Sequence, residues 1–418
     1  MKILIICDMF PPAFGPRMGY LCKYMKRAGW EPVVITEFIQ DQTFSFLTEK
    51  TQVTYVNFYR AKGKLSRKLE WLLVFLLDFF FHYKDRRMYK TASSFLQESG
   101  FGGILCSTYR TFPLPAAAKA ARDYRLPFVA DLRDVVEQYA AHEYISHSFH
   151  TFPWLDNRIR ALFRRQLLQN RNKALRQADR VTTVSPWHVD LLSRYNPQVE
   201  LIYNGYDPEL FYPESHKTSR FLITYTGRLI SLATRDPRLL WEAVARLDKE
   251  KQITPDIFRV QWYVDEESKN ILSREADRYG VSGYMDYYPY IPASEVPGVL
   301  NRSSVLLQLA NKSDGSGPKG FMTTKLFEAL AVEKPVLCVR SDESYLEETI
   351  RKTRCGLAAR TAEEAYEFIR QHYRCWQEKG ETASRPHRAE IESFSRKKQA
   401  EQFMDIFTTL NRKNESLS

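Results

Sequence analysis

At 418 residues the chain exceeds what a single compact core holds, so two or three domains are expected. Its 44% hydrophobic and 27% charged residues are an ordinary globular composition and exclude a disordered chain. The net charge of +11 favours an anionic partner, whether nucleic acid, acidic lipid or a phosphorylated substrate.

The first apolar run, "KILIICD", is too short for a secretory signal and is ended by Pro11–Pro12, so it reads as a buried strand and a turn. "GYLCKYMKRAGW" follows as a helix closed by Gly29, then "EPVVITE" as a strand. Further on come "GGILCST" (strand), "PAAAKAARDYR" (helix), "LPFVADLRD" (strand), "RQLLQNRNKALRQAD" (helix), "RVTTVS" (strand), "PWHVDLLSRY" (helix) and "VELIYNG" (strand). Residues 203–220 are rich in turn formers, and the alternation then restarts with "FLITYTGRL" and "PRLLWEAVARLDKE". The strands "FRVQWYV", "GYMDYYPYI", "SSVLLQLAN", "KPVLCVR" and "CGLAAR" complete the second half, and "ESFSRKKQAEQFMDIFTTLNRK" closes the chain as one long helix. Short apolar strands between amphipathic helices predict two doubly wound, Rossmann-like α/β sheets, which bind ligands at the carboxyl ends of their strands. The expected division is 1–205, 206–390 and a final helix with tail, 391–418.

The six cysteines form no C-x-x-C pair and lie in apolar or helical contexts, so reduced thiols in a cytosolic protein are expected. "HEYISH" spaces its histidines i,i+5, which separates the rings on a helix, so no metal site is expected there.

Residues 60–90 combine "LEWLLVFLLDFFFHY" with nine basic residues (Arg60, Lys62, Lys64, Arg67, Lys68, Lys84, Arg86, Arg87, Lys90) against Glu70, Asp78 and Asp85. Two readings stand: a helix lying on acidic lipid, or a buried helix with basic ends. The run falls short of the ~20 apolar residues a membrane span needs.

The stretch "DGSGPKGFMTTKLFEALAVEKPVL" contains a literal G-x-G-x-x-G at Gly315, Gly317 and Gly320. A dinucleotide loop belongs at the first turn of a domain, ahead of an acidic residue about 20 positions on; this one comes late in the second half. The helix start is more informative. Thr323 or Thr324 can cap it, its free N–H groups attract anions, and Lys325 and Glu328 lie one turn apart on one side. That order suits phosphates on the cation and helix end and ribose hydroxyls on the carboxylate. A solvated i,i+3 salt bridge is the alternative.

"TTKLFEALAVEKPVL" resembles the donor-binding segment of family 4 glycosyltransferases of the GT-B fold. "PPAFGPRMGYLCKYMKRAGWEPVVIT", "ADRVTTVSPWHVDLL", "LIYNGYDPELFYP", "YTGRLISLATRDPRLLWEAV" and "ESFSRKKQAEQF" resemble other pieces of that family in the expected order. The resemblance implies two Rossmann-like domains and a last helix crossing back to the first. It implies sugar transfer from a nucleotide diphosphate donor to a glycan or lipid-linked acceptor, with retention of configuration. Arg228 matches the arginine that contacts the diphosphate, and Arg235 is the nearest match for the lysine that usually follows. Lys325 matches the lysine before "LFEAL", Glu328 the ribose-binding glutamate, and Gly15 the glycine of the loop that closes under the phosphates, where Arg17 adds a charge. Gly320 stands where many relatives carry a second glutamate. "DLRD" resembles a subgroup of bacterial surface-polysaccharide transferases, with Arg133–Asp134 in place of His-Asp. This makes Arg133, Asp134 and Asp131 the candidate catalytic or acceptor-positioning residues, a structural Arg–Asp pair being the alternative. No D-x-D in strand context is present, and neither a metal nor a cofactor is expected. Nucleic acid is not an expected partner, since no such motif appears. A cytoplasmic enzyme peripheral on the inner membrane face is the resulting expectation. A nucleotide-sugar epimerase of similar fold and a non-catalytic sugar-nucleotide-binding relative are the other readings.

Overall fold

The aliphatic runs of the sequence become the strands of two parallel sheets. The computed structural model describes residues 1–48, 51–98, 100–138, 152–229, 231–232, 235–310 and 322–415. Its strands are β1 (Lys2–Cys7), β2 (Glu31–Glu37), β3 (Gln52–Val56), β4 (Phe101–Thr108), β5 (Phe128–Leu132), β6 (Arg180–Thr183), β7 (Val199–Leu201), β8 (Phe221–Thr226), β9 (Phe258–Tyr263), β10 (Met285–Tyr288), β11 (Val305–Leu309), β12 (Val336–Val339) and β13 (Gly356–Ala359). The helices are α1 (Pro16–Arg27), α2 (Lys64–Phe81), α3 (Tyr83–Leu96), α4 (Leu114–Tyr124), α5 (Pro153–Leu175), α6 (Pro186–Leu192), α7 (Arg238–Lys249), α8 (Glu266–Arg278), α9 (Val296–Asn301), α10 (Thr324–Ala331), α11 (Tyr345–Thr353), α12 (Ala362–Lys379), α13 (Arg388–Ser393) and α14 (Arg396–Glu415).

The chain divides into two units: residues 1–203 with the segment from Gln399 onward, and Asn204–Lys398. The first contains a seven-stranded sheet in the order β3-β2-β1-β4-β5-β6-β7, the second a six-stranded sheet in the order β10-β9-β8-β11-β12-β13. Both are doubly wound: the chain steps outward one way from the first strand, then restarts on that strand's other side. The switch points, where such sheets hold ligands, fall between β1 and β4 and between β8 and β11.

Strands covered on both faces alternate between two apolar layers. In β1, Leu4 and Ile6 enter one core with Met88, Leu114 and Val181. Ile3 and Ile5 enter the opposite one, with Met18, Leu21 and, from α14, Phe403, Ile406, Phe407 and Leu410. The carboxyl-terminal helix thus completes the first unit's core. The second unit is built around Trp241, Trp262, Phe221 and Phe258.

Three local features depart from the sequence reading. β3 was not expected; it is a short edge strand paired in parallel with β2. The single closing helix is broken between α13 and α14. There Ser395 bridges Tyr206, Arg396 N–H donates to Tyr206 O (2.8 Å), and Gly205 lies so close to Phe394 O that a Cβ would sit 2.0 Å from it. The greasy helix also stops at His82, which takes a left-handed φ of 52° before α3 begins.

Candidate functional site

In the second unit, β8 ends in a turn at Gly227, with φ +122°. The backbone favours glycine there, since the angle disfavours a side chain, and the Lys325 side chain fills the space beside it: an added Cβ would fall 1.5 Å from Lys325 Nζ. Lys325, in the first turn of α10, therefore lies against the β8 turn, with its ammonium 5.3 Å from the centre of the Tyr225 ring. Gln308 of β11 reaches the Lys325 carbonyl (3.4 Å), so the lysine occupies the β8/β11 switch point. Arg235 approaches the same spot: its guanidinium donates to the Arg228 carbonyl and lies 3.4 Å from Tyr225 Oη. Thr323 takes the N-cap position of α10, but its side chain makes no capping bond.

Glu328 follows Lys325 by three residues and is likewise partly buried. Among the described residues neither the Lys325 ammonium nor the Glu328 carboxylate has a hydrogen-bond or ion-pair partner. Burial, reinforced by Arg235, pulls the Lys325 pKa down to about 8. Burial pushes Glu328 up to about 7 against the opposing pull of Arg396 and Lys325. A half-buried cation and carboxylate with no partner among the described residues are costly and well disposed to a ligand with complementary groups.

Arg228 is placed differently. It is 59% exposed and held by Asp265 (3.3 Å) and Glu267 (3.1 Å) at the start of α8. Such exposed pairs contribute only about 0–1 kcal/mol, so a diphosphate could displace them.

In the first unit the expected residues separate into two groups. Arg17 is 2% exposed and Asp131 not at all. Their bond is bidentate (3.0 and 2.9 Å), Arg17 also donates to the Ile202 and Tyr203 carbonyls (2.9 and 3.1 Å), and Ser107 and Thr182 donate to Asp131 (2.7 and 2.8 Å). Burial opposes ionisation of Asp131, yet Arg17 and the two hydroxyls outweigh it and hold the carboxyl below its usual range. The Arg17 expected at the donor phosphates and the Asp131 expected at the acceptor are a buried tie between α1, β5 and the end of β7. A residue on an inward-facing strand position, paired across 114 positions of sequence, is not visible from local pattern. Gly15 caps α1, where a side chain would meet Phe10 Cα at 2.7 Å and Met9 O at 2.8 Å.

Arg133 lies at the carboxyl end of β5. It pairs with Asp8, which follows β1 and also accepts from Thr108 Oγ1 (3.0 Å) and Tyr109 N–H (2.9 Å). Asp8 thus closes the β1/β4 switch point; the sequence reading missed it, although a polar residue directly after the first strand is a usable signal. Asp134 accepts from Gln138 (2.8 Å). Gly320, the other glycines of its loop and the 142–150 histidines lie outside the described residues.

Residues 17–210 match the family model Glycosyltransferase Family 4. No curated protein matches at a significant level. Among solved structures, HepE of Anabaena in complex with UDP is 16% identical, with a TM-score of 0.61 over 98% of this chain and 100% of that one. A glycosyltransferase of Rickettsia africae is 14% identical, with a TM-score of 0.61 over 98% of each. The lipopolysaccharide outer core galactosyltransferase WaaB is 11% identical, with a TM-score of 0.56 over 98% of this chain and 100% of that one. The chain has the GT-B fold, and its resemblance to family 4 glycosyltransferases, read first from the sequence, holds.

Proposed function

We propose that the protein transfers a sugar from a nucleotide diphosphate sugar to a glycan or lipid-linked acceptor, with retention of configuration and without a metal. The observation that carries this is Lys325 against Gly227 at the β8/β11 switch point, with Glu328 one helical turn on and neither charge paired among the described residues. HepE, of the same fold, has been solved with UDP and with UDP-glucose, which supports a uridine-type donor.

The donor's diphosphate is the leaving group, so the protein must neutralise charge that grows as the glycosidic bond breaks. Lys325, Arg235, Arg228 and the N-terminal amides of α10 after Thr323 and Thr324 supply that charge. Glu328 accepts hydroxyl hydrogen bonds from the ribose, and Gly15 and Gly320 belong to the loops that receive the donor. The second unit is then the donor side and the first the acceptor side, with Arg133 and Asp134 at the acceptor. The resemblance supplies the stereochemistry.

A peripheral position on the inner membrane face completes the reading, with contact through residues 60–90. It is supported by α2, where Leu65, Leu69, Leu72, Leu73, Leu76, Phe80 and Phe81 are each 42–73% exposed. Among the described residues no helix is long and apolar enough to cross a membrane.

The test is a thermal-shift screen of nucleotides followed by calorimetry. UDP or a sugar nucleotide should raise the melting temperature, and Glu328→Ala should weaken its binding about tenfold or more, as expected for losing a charged acceptor. Stabilisation by NADH with none by any nucleoside diphosphate, or unchanged affinity in Glu328→Ala, would sink the reading.

A further inference from the structure

Among the described residues of the first unit, four guanidinium groups have a buried Nε with no hydrogen-bond partner: Arg110, Arg133, Arg160 and Arg164. Arg133 spends its other end on Asp8. Arg110, Arg160 and Arg164 make no side-chain hydrogen bond or ion pair among the described residues; Arg110 only stacks on the neighbouring Tyr109 ring, 4.7 Å from its centre. A buried charged donor left unpaired is costly, and such groups in a folded protein call for an explanation.

Topology places these arginines on neighbouring elements. Arg110 follows β4 and Arg133 follows β5, adjacent strands of a parallel sheet, so both lie at its carboxyl end. On α5, residues 160, 164, 167 and 171 fall at i, i+4, i+7 and i+11, a single helical stripe. That stripe faces the same end. Thr111 Oγ1 donates to the Leu167 carbonyl (3.1 Å), and Arg171 holds Glu137, in the turn after β5, through two bonds of 2.6 and 2.7 Å. Arg164 also acts on Glu137 electrostatically. Glu137 is taken by Arg171, and Asp8 by Arg133, Thr108 and Tyr109. Asp134 at the same end accepts from Gln138 (2.8 Å), and Arg110, Arg160 and Arg164 have no side-chain hydrogen-bond or ion-pair partner among the described residues. On its other side α5 packs on the apolar helix: Phe163 lies 5.6 Å from Phe75 and 6.3 Å from Phe79, and Gln166 donates to the Phe79 carbonyl (2.7 Å).

We infer that Arg110, Arg160 and Arg164, with Arg133 beside them, form an anion subsite that holds a phosphate or pyrophosphate group of the acceptor. Guanidinium forks match phosphate oxygens two at a time, and several converging forks suit a group bearing more than one charge. α5 then has two roles on two faces: it carries the arginines and it backs the greasy surface of α2. Such a phosphate can come from a lipid carrier or from a soluble phosphorylated sugar. The inference rests on the transferase reading for the word acceptor, while the anion subsite stands or falls separately.

The experiment is calorimetric titration of inorganic pyrophosphate into the full chain carrying Lys325→Ala, which weakens the donor side. A pyrophosphate site should persist there. Adding Arg160→Gln or Arg164→Gln should weaken it about tenfold each, and Arg164→Lys should fall between. Thermal melting should show no loss of stability, because no described residue pairs with these groups. Pyrophosphate affinity unchanged by both glutamine variants overturns the inference, as does binding of glucuronate without pyrophosphate. Displacement of pyrophosphate by phosphatidylcholine vesicles doped with phosphatidate identifies a lipid source, and its absence a soluble one. If no nucleoside diphosphate binds but the arginine-dependent site persists, the subsite stands and the transferase reading falls. The reverse result removes the subsite and leaves the transferase reading intact.

Discussion

Lys325 and Glu328 are tuned in opposite directions by one cause, burial, and this sets a pH window for the proposed donor site. Glu328, with a pKa raised to about 7, loses its carboxylate as the pH falls through that value. Lys325, with a pKa lowered to about 8, loses its ammonium as the pH rises through that one. A ligand that needs both charges binds best between about 7 and about 8, with affinity falling up to tenfold per pH unit on either side. Calorimetric titration of UDP from about pH 6 to about pH 9 should show that bell. UDP's own terminal phosphate also titrates near pH 6, so the decisive comparison is with Glu328→Gln. The acidic limb of the variant should flatten by the amount that Glu328 contributes, while the alkaline limb stays. Identical acidic limbs in both proteins would remove Glu328 from the site. Both residues stood out in the sequence because they sit one turn apart at a helix start, but that spacing fits a solvated salt bridge equally well, and the resemblance supplied the choice. Arg17 and Asp131 show the limit of that reading. A glycine-rich loop and a strand end told of nearby chemistry, but only the folded sheet turns the two side chains toward each other.

At the scale of elements, α2 presents a run of exposed large apolar side chains. Leu65, Leu69, Leu72, Leu76 and Phe80 recur every three to four residues and form one stripe, while Trp71, Phe75 and Phe79 stack along the other side. The outward stripe is about 22 Å long at 1.5 Å per residue, larger than the scattered apolar groups of an ordinary surface. Of the helix's own residues only Val74 is buried, which favours the lipid-facing reading over the buried-helix alternative weighed from the sequence. Replacing Leu72 and Leu76 with Glu should release the protein from vesicles containing phosphatidylglycerol in a co-sedimentation assay. Replacing Lys62, Lys64, Arg67 and Lys68 with Gln should weaken binding by about 1 kcal/mol each. If neither set changes the bound fraction, α2 is not the lipid contact. Hydropathy revealed this helix because its apolar residues are many, and it missed β3 for the converse reason. "QVTYV" is short, lies at a sheet edge and leaves Tyr55 40% exposed, so it carries little apolar signal.

At the scale of the whole molecule, the first unit is not continuous in sequence. Its second core layer is incomplete until α14 contributes Ala400, Phe403, Ile406, Phe407 and Leu410. Gly103 of β4 records how closely that helix is packed, since a Cβ there would fall 2.6 Å from Phe407. Asn411 fastens the far end by donating to the Gly102 carbonyl (2.8 Å). The repeated strand order was readable in outline, because strand and helix patterns restart after residue 220. That the last helix is structurally part of the first unit came only from resemblance, since an amphipathic period shows that a face is buried and not what buries it. Each large apolar side chain of α14 contributes about 1.5–3 kcal/mol on burial, so losing four of them removes stability comparable to the 5–15 kcal/mol of a typical domain. A chain ending after Ser395 should therefore lose the calorimetric transition of its first unit while the second still melts cooperatively. Phe403→Ala alone should lower the first transition by about 3–5 kcal/mol, and a Gly103→Ala variant should lower it as well. A truncated chain that keeps both transitions would show that residues 1–203 fold without the returning helix, and α14 would then be an attachment rather than a part of the core.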